Sequence, residues 1–183
     1  MKLIAPILNL ESKYKAMLAD WKRSGEKLVP FVLEYDATNF EALITRCKNE
    51  AQGVNMPLAG RRVMVPHSTF WLTDQQNTIL GVVNLRHTLN EDLRKIGGHI
   101  GYGIRPSMRR NGYATKILEL ALLEARKMGI QDVMLSCYKN NIGSSKSILN
   151  NGGTLAEEKE LEGEIVQNYW IKKDSVSAWN NLE

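Results

Sequence analysis

Residues 97–115 read Gly97-Gly98-His99-Ile100-Gly101-Tyr102-Gly103-Ile104-Arg105-Pro106-Ser107-Met108-Arg109-Arg110-Asn111-Gly112-Tyr113-Ala114-Thr115. The order predicts a strand, a sharp turn and the start of a helix. Strand character runs to Ile104; Pro106 has no amide to give a ladder and holds Arg105 extended, so the strand ends there. From Ala114 onward, Ile117, Leu118, Ala121, Leu122, Ala125 and Met128 recur at spacings of three and four, one face of a helix lying on apolar surface. Gly129 closes that helix.

A helix that starts just after a basic, glycine-containing turn aims its unpaired amides and the positive end of its dipole at whatever lies in front of it. Arg109 and Arg110 add charge, and Gly112 has no Cβ to hold a phosphate away from the backbone. The turn is therefore a candidate anion site, the alternative being a solvated turn whose arginines face water.

Two familiar phosphate loops are excluded by spelling: there is no Gly-Lys-Ser/Thr ending and no Gly-x-Gly-x-x-Gly. What stands here is Arg109-x-x-Gly112-x-Ala114 behind a strand ending Ile104-Arg105-Pro106. This resembles the coenzyme A pyrophosphate loop of the GNAT superfamily of N-acetyltransferases, written Gln/Arg-x-x-Gly-x-Gly/Ala at the start of the main helix.

A second stretch strengthens the resemblance. GNAT proteins carry Asn-x-x-Ala/Ser-x-x-Leu-Tyr, three further residues and Gly-Phe; Asn141, Ser144 and Gly152 match, while Ile148 stands at the tyrosine and Gly153 at the phenylalanine. By itself the stretch reads as a capped helix with a Gly-Gly stop. The strand spelling His-x-Gly-Tyr-x-Ile-Arg-Pro and the Asn-Gly-Gly helix end resemble a bacterial branch of the superfamily known as predicted acetyltransferases. The resemblance covers roughly Thr69 to Lys172.

The rest of the chain fits one α/β domain spanning residues 1–183, long enough to bury a sizeable core. Hydrophobic residues at 43% and charged residues at 24% are ordinary for a globular chain and argue against disorder or a membrane class. The net charge of +4 suits an anionic cofactor, and no basic run with interleaved aromatics suggests nucleic acid. Cys47 and Cys137 lack the spacing of a disulfide framework or a metal site. Pro6 breaks the short apolar stretch Leu3 to Leu8, so no export signal or membrane span is expected and a cytoplasmic location is.

Leu10, Tyr14, Met17, Leu18 and Trp21 predict a first helix ending at Gly25, and a capping box from Thr38 to Glu41 predicts a second. Gly53 to Arg62 reads as a loop. Strands are expected at Lys2–Ala5, Thr69–Leu72, Thr78–Arg86 and His99–Ile104, the last three as an antiparallel meander joined by short polar turns. Val133–Tyr138 is expected to run parallel to the Ile104 strand after a right-handed crossover. Thr154–Ala156 and Ile165–Ile171 are expected to form a hairpin around an acidic turn, Glu157 to Glu164.

The resemblance implies a GNAT fold: a mixed, mostly antiparallel sheet of about six to seven strands, splayed at its centre and flanked by helices. It implies acetyl-CoA as co-substrate, no metal, and direct attack by an amine on the thioester, with no covalent enzyme intermediate. Cofactor contacts fall on Gly103, Ile104 and Arg105 along the strand, on Arg109, Arg110, Asn111, Gly112, Tyr113, Ala114 and Thr115 in the turn, and on Asn141 and Ser144. Cys137 reads as a core strand residue. Many members place a glutamate where this chain has His99, so His99 is the expected base. His87, a carboxylate such as Glu34 or Glu91, and water are the alternatives. With Ile148 at the tyrosine position, the thiolate's proton is left to Ser144, Ser147, Tyr138 or water. The acceptor is a small-molecule or peptide amine, with no nucleic acid and no membrane as partner, and a homodimer stays open. Two other readings remain: an acyl-CoA-binding sensor without turnover, and a nucleotide or nucleic-acid module built on Arg109 and Arg110.

Overall fold

The computed structural model describes residues 1–54, 56 and 64–175. The chain opens with β1 (Lys2–Ile4), α1 (Glu11–Ser24) and α2 (Phe40–Ala51), and the meander follows as β2 (His67–Thr73), β3 (Ile79–Arg86) and β4 (Ile100–Ile104). Then come α4 (Tyr113–Lys127), β5 (Val133–Tyr138), α5 (Ile142–Asn150), β6 (Thr154–Leu161) and β7 (Glu164–Ile171). A short α3 (Glu91–Lys95) lies between β3 and β4, where a simple polar turn was expected; Asn90 caps it by accepting the Leu93 amide at 3.0 Å.

The strands form two antiparallel sheets, ordered β1-β2-β3-β4 and β5-β7-β6. The expected parallel ladder between β4 and β5 is replaced by one antiparallel bridge, Gly98 to Leu135. Gly98 permits this approach: its φ is +64°, and a Cβ there would lie 2.3 Å from the Met134 carbonyl oxygen. Beyond the bridge β4 has β3 for a neighbour and no ladder on its other side among the described residues. The splay foreseen at the centre of the fold is this gap.

Both faces of the first sheet are covered, so β3 is buried almost throughout. Val83 and Leu85 join Ile100, Ile104, Ile117, Leu118, Leu122, Leu135 and Ile148 in one core beneath α4. Val82 and Trp71 face α1 and α2, where Tyr14 stacks on Trp71 with ring centroids 5.1 Å apart. Fully burying one such aromatic is worth about 3 kcal/mol.

Several element ends differ from the sequence expectation for identifiable reasons. The cap of α2 is Asn39, whose Oδ1 accepts the Ala42 amide at 3.0 Å; Thr38 instead donates its hydroxyl and amide to Asp36. The acidic segment after Ala156 is strand up to Leu161, with the reversal at Glu162-Gly163, both at positive φ. Gly25 and Gly129 end their helices in the left-handed conformation as expected. The loop expected at Gly53 to Arg62 lies largely outside the described residues.

Candidate active site

The turn from Ile104 to α4 is built rather than loose. Asp20 on α1 accepts from the Ser107 hydroxyl at 2.7 Å, the Ser107 amide at 3.1 Å and the Arg105 Nε at 3.1 Å. Those donors, the Ser107 hydroxyl foremost, hold its carboxyl well below the usual range. Arg109 folds back: its Nε donates to the Ile104 carbonyl at 3.1 Å and its Nη1 to Glu26 at 2.7 Å. The Asn111 amide group ties down the carbonyls of Met108 and Arg109 at 3.1 and 3.0 Å.

What this bracing presents is backbone. Among the described residues no protein acceptor is found for the amides of Arg110, Asn111, Gly112, Tyr113, Ala114 or Thr115. Gly112, at φ +76°, has nothing within 4 Å of where a Cβ would stand. A row of free amides at a helix N-terminus, open in front and flanked by the exposed Arg110, fits a pyrophosphate. Arg109 contributes by shaping the turn, since its own guanidinium is already paired.

Strand parity corrects the expected contacts along β4. The Arg86 amide donates to the His99 carbonyl at 2.7 Å and the Arg105 amide to Leu80 at 2.9 Å, so Gly101, Gly103 and Arg105 point their backbone groups at β3, while the His99 amide turns to the Met134 carbonyl on β5 at 2.7 Å. The groups left toward the gap are those of Ile100, Tyr102 and Ile104, with the Ile104 carbonyl taken by Arg109. Gly103 and Arg105 are therefore unsuited to hydrogen-bond a pantetheine arm, whereas Tyr102 and Ile104 are suited. Gly103 has a packing reason instead: a Cβ there would sit 1.9 Å from the Val29 carbonyl oxygen.

The histidines fall out differently from the expectation. His99 is buried, and its Nδ1 accepts the Met134 amide at 3.0 Å. Burial, reinforced by the charges of Arg94 and Arg86, lowers its pKa to about 4, so the ring is neutral with its proton on Nε2. A neutral ring whose lone pair is spent on a backbone amide donates from Nε2 and takes no proton, which counts against His99 as the base. His87 bonds the Ser68 hydroxyl through Nε2 at 2.9 Å, and burial lowers its pKa too.

On the other side of the gap, Asn141 caps α5 by accepting the Ser144 amide at 3.1 Å. The Ser144 hydroxyl lies 3.3 Å from the hydroxyl of Tyr102, joining α5 to β4. Ser147, one of the alternative proton sources for the thiolate, is buried and commits its hydroxyl proton to the Gly143 carbonyl at 2.8 Å. Ile148 is fully buried, and a Cβ on Gly153 would lie 2.4 Å from its Cγ2. The two departures from the family pattern thus fit each other: a branched side chain at 148 takes the space that a larger residue at 153 would need.

Sequence reading missed the polar cluster on the α2 side of the sheet. Glu50, 1% exposed, accepts from Arg46 Nε at 2.8 Å and from the Tyr35 hydroxyl at 3.0 Å. His67, also 1% exposed, takes the Asn84 Nδ2 donor on Nδ1 at 2.8 Å and edges onto Phe31. Its Nε2 stands 3.7 Å from Glu50 Oε2, too long for a hydrogen bond, and with burial lowering its pKa to about 4 the pair is not an ion pair. The only signal was a set of polar residues at inward strand and helix positions. No group of residues that could hold a metal ion occurs among the described residues.

The arrangement is a splayed sheet with an amide-lined turn at the head of the main helix. The family model described as "Acetyltransferase (GNAT) domain" matches residues 11–154, and the chain belongs to that family. The match begins in α1, so it takes in the helical third that lay ahead of the sequence motifs.

Solved structures agree in fold. Mycobacterium smegmatis RimJ in complex with CoA-disulfide aligns with a TM-score of 0.67 at 14% identity, covering 96% of this chain and 83% of that one. The microcin C7 self-immunity acetyltransferase MccE, in complex with acetyl-CoA and AMP, gives 0.64 at 16%, covering 93% and 91%. A chimera of spermidine N-acetyltransferase SpeG from Vibrio cholerae and hSSAT gives 0.60 at 16%, covering 94% and 96%. Comparison with curated proteins returned no match.

Proposed function

We propose that the protein is an acetyl-CoA-dependent N-acetyltransferase acting on a primary amine, with both substrates bound together. The observation that carries this reading is the row of unpaired amides from Arg110 to Thr115 around the open Gly112. These amides would hold the pyrophosphate, and the backbone groups of Tyr102 and the Ile104 amide the pantetheine arm, which leads the thioester into the gap between β4 and β5. When bound, acetyl-CoA supplies an activated acyl group that needs no covalent relay through the protein.

The chain's own tasks are then to orient the amine, to receive the charge that develops on the thioester oxygen and to let the thiolate leave. The Ser144 hydroxyl, backed by Tyr102 OH, is the protein-held proton source for the sulfur. Burial raises the Tyr102 pKa, so it stays a phenol and keeps its proton available to Ser144. The amine proton goes to water or to an exposed carboxylate, Glu34 or Glu91, rather than to His99. No helix among the described residues is long and apolar enough to cross a membrane, and a cytoplasmic setting belongs to this reading.

The test is release of free coenzyme A thiol when the protein is given acetyl-CoA and a panel of amines. Amine-dependent thiol release is expected. Tight acetyl-CoA binding with no release from any amine would instead favour a sensor without turnover.

A further inference from the structure

Arg86 is the last residue of β3, at the point where β4 and β5 separate. Strand pairing puts it opposite His67 and its neighbour Asn84 opposite Gly101, so Arg86, Asn84 and Gly101 share the face covered by the segment around Pro30 and Phe31. The guanidinium lies 5.7 Å from the Phe31 ring centroid, and its Nη2 is 3.7 Å from where a Cβ on Gly101 would stand. It therefore hangs over the start of β4, beside the gap proposed to receive the thioester.

Its charge has no counterpart. Nη1 donates to the carbonyls of Gly98 at 3.0 Å and Gly97 at 3.4 Å, and no carboxylate pairs with it among the described residues. Arg105 and Arg46, also tied into the fold, each meet a carboxylate, Asp20 and Glu50. A partly buried guanidinium held by two carbonyls and the Phe31 ring has lost water without gaining an anion, an arrangement that leaves its remaining donors ready for one. The surroundings add to this: Arg94 contributes a second positive charge near His99, and the proton of His99 sits on Nε2 as a donor. Polycations would be repelled there.

We propose that Arg86 binds an anionic group on the acceptor, so that the amine acetylated by this protein also carries a carboxylate, phosphate or phosphonate. The inference rests on the acetyltransferase reading above and narrows its substrate class. A planar guanidinium offers two parallel donors to such a group and would fix the amine relative to β4.

Matched pairs of acceptors test it: amino acids against their carboxamides, and O-phosphoethanolamine against ethanolamine, with spermidine as the polycation. Acetyl transfer and ligand-induced thermal stabilisation are read in the wild type, in Arg86→Met and in Arg86→Lys. The expected result is a preference of at least about tenfold in kcat/KM for one anionic member over its neutral partner, lost in Arg86→Met and only partly kept in Arg86→Lys. Acetyl-CoA affinity should be unchanged in both variants. A preference for spermidine or the neutral partners, an anionic preference that survives in Arg86→Met, or neither turnover nor stabilisation by any anionic amine would overturn the proposal. If acetyl-CoA itself fails to bind the wild type, the acetyltransferase reading falls with it; if acetyl-CoA binds, only the claim about Arg86 falls.

Discussion

The backbone amide of Met134 donates to Nδ1 of His99 at 3.0 Å. This bond joins the start of β5 to the residue before β4, next to the Gly98–Leu135 bridge, and fixes the imidazole tautomer. His99→Asn, which offers an oxygen in place of Nδ1, should keep both the stability and the acidic limb of the pH profile of kcat. His99→Ala leaves the buried Met134 amide without its acceptor and should cost about 1–3 kcal/mol in urea unfolding. A folded His99→Asn protein that loses the acidic limb would restore the imidazole as base.

Stability should fall as pH falls through the weakly acidic range. Burial lowers the pKa of both His67 and His99 to about 4 from an unfolded value of 6.5. Above 6.5 neither state binds these protons; between 6.5 and about 4 the unfolded chain takes them up and the native protein does not, so unfolding is favoured. Each histidine contributes a slope of up to about 1.4 kcal/mol per pH unit, which levels off below about pH 4. Urea midpoints at a series of pH values check this, and His99→Asn should reduce the slope by one proton.

Asp20 braces the turn between β4 and α4, where acetyl-CoA is proposed to bind. Asp20→Ala leaves Arg105 uncompensated and frees Ser107, so a stability loss of about 3 kcal/mol is expected together with weaker acetyl-CoA binding. Asp20→Asn keeps one acceptor and should lie between the two. Calorimetric affinity and urea unfolding, measured on the same variants, separate the effects.

Restoring the family's tyrosine at Ile148 should fail. The position is fully buried beside Gly153, so Ile148→Tyr overpacks the core and costs about 1–3 kcal/mol, without raising turnover. Ser144→Ala should lower turnover by about one to two orders of magnitude with acetyl-CoA affinity retained. Thiol-release kinetics beside thermal melts check both.

The strand, turn and main helix were legible because each is written locally: Pro106 stops the strand, the apolar stripe marks α4, and Gly112 and Gly129 punctuate its ends. The α2 cap was misplaced by one residue because Thr38 and Asn39 are both capping types, and only the Asp36 turn decides between them. The tight turn at Glu162-Gly163 was hidden by the run of charged residues on exposed strand positions around it. Roles set by long-range contacts were out of reach: the Met134 amide that fixes His99, the Glu26 that claims Arg109, and the ladder parity that turns Gly103 and Arg105 away from the gap. None of these partners lies near its counterpart in sequence.

The central claim, that acetyl-CoA binds through the amides at the head of α4, meets its most direct test in calorimetry of wild type and Gly112→Asp. Space at Gly112 is open, so aspartate costs the fold only its left-handed backbone, about 1 kcal/mol, while placing bulk and a negative charge where the pyrophosphate would sit. Saturable binding to the wild type and at least about a hundredfold weaker binding to a folded Gly112→Asp protein is the predicted result. Equal affinity in the two would contradict it.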